Sequence, residues 1–352
     1  MRIQGALIST LLLTLTGCMR WDYGEEEVFS CPPQGLFIVC EGNFQYGNAT
    51  LSFYDPATGQ VENEVFYRAN GMKLGDVAQS MTIGGNRGWI AVNNSHAVFA
   101  IDLTSLRETG RVEGLTSPRY VHFVTPEKAY ISQLWDNRII IFNPQTYSVT
   151  GAITITGMEA SVGSSEQMIQ SGKFVYCNCW SYQNRIIRID SERDAVDKQV
   201  EVGLQPNSLV MDANGKLWTI TDGGYDGSPA GYETPAIFRI DPESMTIELR
   251  MDFKLGDSPR DLTVSADGAT LYWINDDVWS MPADATTLPS APLIPSRRTI
   301  YYALAVDPRS DEIYLADAID YQQPGMIYRY SPSGELISRF YAGVTPTYFC
   351  WK

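Results

Sequence analysis

The chain has 352 residues and a formal net charge of −15, with 41 acidic side chains against 26 basic ones. That balance argues against nucleic acid and against an anionic membrane surface as partners, since both attract net positive charge. Only two histidines are present, His96 and His122, which disfavours a zinc centre built on imidazoles.

In chain order, the first stretch is an address. Arg2 gives a positive start, and Leu7 to Leu15 is an apolar run too short to span a bilayer as a helix. It ends in Leu15-Thr16-Gly17-Cys18, which resembles a bacterial lipobox. The resemblance implies cleavage before Cys18 and lipidation of its thiol; the alternative is an ordinary signal peptide with a chance cysteine. Met19 to Glu27 is polar and ends in three glutamates, the composition of a solvated spacer. It is also similar to the acidic export signals of surface lipoproteins of the Bacteroides group. That similarity implies a surface-exposed lipoprotein of the outer membrane, in contact with the membrane through its lipid alone. The expected organisation is a signal peptide over 1–17, a lipidated cysteine and acidic tether over 18–34, and a single domain over 35–352.

That domain is organised by a repeat. Its clearest copy runs from Gly256-Asp257-Ser258-Pro259 through the Asp267-Gly268 hairpin signal to the all-apolar Leu271-Tyr272-Trp273-Ile274. A strand apolar at every position is buried on both faces, as in stacked sheets. The same sentence recurs from Gly203 and Pro206 through Asn214-Gly215 to Leu217-Trp218-Thr219-Ile220. Units open near Leu36, Gly88, Ala129, Phe174, Leu217, Leu271 and Ile313, which makes seven units. Their spacing of roughly 40–54 residues is the period of four-stranded propeller blades. The sixth is irregular, with Val278-Trp279-Ser280-Met281-Pro282 standing in for the second strand of the unit and its turn. Helical periodicity is hard to find. The first unit lacks a Pro-led strand before it, and Thr345 to Trp351 is a Pro-led strand with no unit after it. The expected fold is therefore an all-β, seven-bladed β-propeller closed by the C-terminal strand completing the first blade.

Beyond Cys18, five cysteines remain, an odd number that leaves at least one thiol free within one chain. Cys177 and Cys179 lie two apart on a strand and share a face, as buried structural thiols. Closure brings the strand of Cys350 beside that of Cys40. A disulfide there needs both to face the same side, and Cys31 is a competing partner.

The Pro-led strand, the Asp-Gly or Asn-Gly hairpin and the aromatic strand ending in Asn-Asp resemble the YncE-type bacterial propellers. The opening Glu41-Gly42-Asn43, followed by Leu51-Ser52-Phe53-Tyr54-Asp55, resembles a DUF5074-like subgroup found on Bacteroides-type lipoproteins. That subgroup includes the BtuG-type surface proteins, which capture cobalamin above a TonB-dependent transporter. The resemblance covers nearly the whole mature chain, and its residues specify fold and subgroup rather than ligand.

In such a fold each repeat offers two clusters to one face: the start of its inner strand and the loop after the next strand. The inner-strand starts include Gln79, Arg119, Glu166, Asn207, Arg260-Asp261, Tyr302 and Thr347-Tyr348, and the loops include Glu41 to Phe44, Trp135, Trp180 to Gln183 and Asp222 to Tyr225. Rigid aromatic plates with placed polar groups suit a bulky, partly apolar ligand rich in hydrogen-bonding groups. The expected ligand-binding residues are Trp135, Trp180, Tyr182, Tyr225, Tyr321, Arg119, Arg260, Asn207, Asp222, Asn275 and Tyr348. The expected structural alternative is that about half of the strand-end Asn and Asp side chains only satisfy turns. No nucleophile elbow or metal-ligand spacing appears, so catalysis and a resident cofactor are not expected. Capture of cobalamin for a TonB-dependent outer-membrane transporter is the function implied by the resemblance. A glycan-binding accessory lipoprotein is the alternative, and a propeller lactonase or lyase ranks third, with clustered acids for calcium or for acid–base work.

Overall fold

The computed structural model describes residues 31–352. Seven antiparallel sheets form the domain, six of four strands and one of three. The first is closed by the two ends of the chain: Pro346–Trp351 forms its innermost strand and pairs with Leu36–Cys40, with Cys350 opposite Phe37. Six further sheets follow in chain order, with inner strands Ala78–Gly84, Pro118–Thr125, Ser165–Ser171, Pro206–Met211, Arg260–Val264 and Tyr301–Val306. The seven-bladed propeller expected from the repeat, and its closure by the last strand, are both observed. Cys18 and the tether through residue 30 lie outside the described residues.

The second strands are buried at nearly every position because both of their faces are covered. Seven buried clusters result, one between each pair of adjacent blades. Phe37 and Val39 face the second blade, whereas Leu36, Ile38 and Cys40 face the seventh. Ala129 and Ile131 face backwards and Tyr130 forwards; Tyr176 faces forwards and Cys177 and Cys179 backwards. Each blade interface thus has its own core, filled by alternate residues of two strands.

This alternation answers the cysteine question. Cys40 lies in the core between blades seven and one, and Cys350 in the core between blades one and two. They sit on opposite faces of the closing sheet, and all five described cysteines are free and buried.

Two departures from the repeat appear. The link after the first blade contains a short helix, Val65–Asn70, whose Val65 and Phe66 are buried. Six residues are too few to show helical periodicity in the sequence. The sixth blade has no outer strand; residues 283–300 run irregularly along it, with Ile294 bridged to Val278. Pro289, Pro292 and Pro295 in that segment have no N–H to give to a ladder.

Candidate functional site

One cavity of about 900 Å³ runs down the axis, lined by residues of all seven inner strands. One end of it carries the starts of the inner strands and the loops between second and third strands. A single local device shapes that end. All seven inner strands shift register against their neighbours at their first residues. The residues set out of register are Gln79, Arg119 and Tyr120, Glu166 and Gln167, Asn207, Asp261 and Leu262, Tyr302, and Thr347. A bulge re-aims the side chains it carries, and all of these residues line the cavity together with Glu41.

The polar side chains of this ring tie neighbouring blades together. Arg119 donates Nε to Glu166 Oε2 at 2.8 Å, joining blades three and four, and donates a second hydrogen bond to Gln79 of blade two. Gln167 Oε1 accepts from the Leu209 amide of blade five at 3.0 Å, and Asn207 donates to the Pro259 carbonyl ahead of blade six at 2.8 Å. Asp261 Oδ2 accepts from the Leu304 amide of blade seven at 3.1 Å, while Arg260 donates to the Tyr301 carbonyl. Tyr302 donates its hydroxyl to Glu41 Oε2 of blade one at 3.0 Å.

Electrostatics follow from this burial. Asp261 adopts a left-handed backbone, φ 54°, within its bulge. Burial pushes its carboxyl up to about 6, against the pull of the Arg260 guanidinium and the Leu304 amide, with the Glu41 charge adding to the rise. Burial likewise raises Glu41, although the Tyr302 hydroxyl and Arg119 act in the opposite sense. For Arg119 burial opposes the charged form, but Glu166 and its acidic neighbours outweigh it and hold the guanidinium more firmly protonated. Deeper in the channel, His122 meets Gln170 Oε1 at 2.9 Å, and burial favours its neutral form.

The opening Glu41-Gly42-Asn43 motif now has a physical role. Asn43 and Asn48 clasp each other, the Asn43 amide donating to Asn48 Oδ1 at 2.7 Å and Asn48 Nδ2 returning to Asn43 Oδ1 at 3.1 Å. Gly42 has φ 71°, which the tight return of the loop requires. The loop reaches blade seven through Asn43 on the Tyr321 carbonyl, and the segment before blade two through the Gln45 amide on Asp76. It thereby fixes Glu41 at the channel and presents Phe44 to it.

Of the residues expected from sequence, Trp135, Trp180, Arg119, Arg260, Asn207, Asp222 and Tyr348 line the cavity. Trp180 donates Nε1 to Asp222 at 3.0 Å, and Gln205 donates to the same carboxyl at 2.9 Å. Burial raises Asp222 against these donors. Four others are placed elsewhere. Tyr182 and Tyr225 meet each other through their hydroxyls at 3.1 Å on the exposed rim. Tyr321 lies edge-on against Tyr302, ring centroids 5.6 Å apart, and so backs the wall. Asn275 accepts from the Ser258 amide at 3.3 Å and ties the end of its strand to the loop that leads into Arg260–Val264. The expected set omits Glu41, Gln79, Glu166, Asp261 and Tyr302, all of which line the cavity. Their position at the strand starts is visible in sequence, but the bulges that aim them inward are not. Among the described residues, no group of three His, Cys, Asp or Glu side chains is placed to hold a metal ion.

The fold is shared with several solved structures. A quinonprotein alcohol dehydrogenase-like protein of Bacteroides thetaiotaomicron superposes with a TM-score of 0.67 at 15% identity, over 90% of this chain and 78% of that one. The periplasmic gluconolactonase PpgL of Pseudomonas aeruginosa gives 0.66 at 11% identity, over 90% and 98% of the two chains. A functionally unknown protein of Desulfotomaculum acetoxidans gives 0.62 at 14% identity, over 90% and 98%. At these identities the likeness is one of fold alone. No curated protein matches the sequence. Residues 34–349 match the family described as a domain of unknown function, DUF5074, and the protein belongs to that family.

Proposed function

We propose that this protein captures cobalamin at the channel end that carries the inner-strand starts, on the outer face of the outer membrane, and passes it to a TonB-dependent transporter. The observation that carries the reading is the channel mouth. It combines an aromatic rim, Trp135 and Trp180, with a polar ring whose members are already hydrogen-bonded between blades. Such a surface loses little freedom when a ligand arrives, so its contacts convert efficiently into affinity. A cavity of about 900 Å³ is at the large end for small-molecule sites. Corrin amides and a nucleotide loop supply the donors, acceptors and apolar faces that this lining complements. The ring's carboxyls are held by neighbouring blades, which suits a fixed binding surface better than a group that shuttles protons to solvent. Cobalamin itself enters through the Glu41-Gly42-Asn43 resemblance, and the surface location through the lipobox and acidic tether.

A second reading, an oligosaccharide ligand, is favoured by Trp135, a residue 49% exposed at the rim and available to stack on a sugar. Calorimetry of the purified protein with cyanocobalamin, paired with co-elution of the red ligand on gel filtration, decides between them. Saturable heat and colour transfer at micromolar protein are expected. Neither signal, with retention on a polysaccharide column, would replace cobalamin by a glycan.

A further inference from the structure

We propose that the blade-two side of the channel mouth, at Asn93 and Gln79, is a subsite for a neutral carboxamide group of the ligand. This rests on the mouth being a binding site. The amide can come from a corrin side chain or from the acetamido group of an amino sugar.

Asn93 carries the first sign. It is 7% exposed and lines the cavity, yet its Nδ2 is enclosed and finds no hydrogen-bond partner. Its backbone is satisfied: the amide donates to the Val77 carbonyl at 2.7 Å, and the carbonyl accepts from the His96 amide at 3.2 Å. The orphan is the side chain alone. An enclosed amide without a partner lowers stability, and buried polar groups are almost always paired. A half-turn about Cβ–Cγ exchanges donor and acceptor, so either end can meet a ligand at the wall.

Gln79 supplies the second. It is 8% exposed, lines the same cavity, and has its orientation set. Its Oε1 accepts from Arg119, which also donates Nε to Glu166 Oε2 at 2.8 Å. The carbonyl end is thus engaged, and Nε2, with two protons, meets no acceptor among the described residues. Gln79 stands in the bulge between Ala78 and Ser80, and Ala78 pairs with Val92, the residue before Asn93. The register therefore puts both amides at one corner of the mouth.

This corner selects a neutral group. Arg119 is already matched by Glu166, and the Glu41 carboxyl lines the same cavity, so a ligand carboxylate would add charge without a free cation beside it. A carboxamide brings an acceptor for Gln79 and a donor for Asn93 on one rigid plane. Its apolar attachment has room between Phe44 and Trp135, which line the cavity from blades one and three. Blade two, between them, contributes only the three-residue turn Asn93–Ser95, with short polar side chains.

Calorimetry of the purified protein tests this with two amide-bearing ligands, cyanocobalamin and tri-N-acetylchitotriose. Each is paired with controls lacking the amide: the cyanocobalamin monocarboxylates, each with one side-chain amide hydrolysed, and cellotriose. At least one amide-bearing ligand is expected to bind, and one of its controls to bind at least tenfold more weakly. Asn93→Leu is expected to weaken binding at least tenfold while leaving the melting temperature unchanged or raised, because it removes an unpaired buried amide. Gln79→Glu keeps an acceptor for Arg119 but loses the donor, and is expected to weaken binding at least tenfold. Undiminished affinity in a folded Asn93→Leu protein, or no binding of either amide-bearing ligand, would overturn the proposal. If Asn93→Leu does not fold, Gln79→Glu is read by the same affinity criterion. Cyanocobalamin binding untouched by these variants removes the subsite and keeps the corrinoid. Chitotriose binding in its place, weakened by them, keeps the subsite and removes the corrinoid.

Discussion

Arg119 Nε and Glu166 Oε2 meet at 2.8 Å across the boundary between blades three and four, with side chains only 15% and 4% exposed. The pair lines the channel and also fastens two blades, so site and scaffold share the same atoms. Removing one partner of a buried pair leaves the other charge uncompensated. Arg119→Ala is expected to destabilise the fold by about 3 kcal/mol in urea unfolding. The exposed Arg250–Asp252 pair, 46% and 56% exposed, provides the contrast: Arg250→Ala is expected to cost under about 1 kcal/mol. Equal losses in the two variants would show that the ring contributes no special stability.

The fold was legible because its signal is repeated seven times. Leu271 to Ile274 and Leu217 to Ile220 announce two covered faces, and the orphan strand around Phe349 announces closure. The site was legible only as positions. Arg119, Arg260, Asn207 and Tyr348 follow from the strand starts, but Asp261 and Glu41 have nothing in their local sequence to separate them from turn carboxylates. What distinguishes Asp261 is a left-handed backbone inside a bulge, φ 54°, and a contact with Leu304 of the next blade. Both are properties of the assembled ring. Tyr182 and Tyr225 attract attention as exposed aromatics, yet their contact with each other depends on loop shapes that strand periodicity does not encode.

Asp261 gives the stability a pH dependence of defined sign. Its carboxyl titrates near 6 in the folded protein against an ordinary value of 3.8. The folded state therefore holds the proton more tightly than the unfolded chain. This stabilisation is complete below about pH 4 and is lost as pH rises through 6. Asp261→Asn, neutral at every pH, is expected to be more stable than the wild type at pH 8, by on the order of 1 kcal/mol, and to lose that advantage by pH 4. Parallel denaturant melts at pH 4, 6 and 8 check it, and a difference between the two proteins that does not change with pH would refute the assignment.

Ring closure can be tested by removing the strand that makes it. Residues 345–352 supply the inner strand of the first blade and bury Phe349 and Cys350 against blades seven and two. Without them Leu36–Cys40 presents a bare, fully apolar edge. Deletion of residues 345–352 is expected to abolish the cooperative thermal transition and to promote aggregation. An unchanged melting temperature would mean that the six remaining blades hold together without the closing strand.

The placement of the aromatics ranks them for ligand binding. Trp180 lines the cavity and is held by its indole hydrogen bond to Asp222, 3.0 Å long, so its ring is fixed before any ligand arrives. Trp135 also lines the cavity, on a turn with φ 58°, and offers an exposed face. A fixed ring at a concave site is the type of contact whose truncation costs most. Trp180→Ala and Trp135→Ala are each expected to weaken cyanocobalamin binding by about 2 kcal/mol, close to thirtyfold. Asn275→Ala and Tyr225→Ala remove side chains that tie a loop and stand on the outer rim, and are expected to change affinity less than about threefold. The four titrations form one comparison. If Tyr225→Ala proves as damaging as Trp180→Ala, the ligand spreads over the outer loops instead of entering the mouth, and the contact surface must be redrawn around the Tyr182–Tyr225 pair.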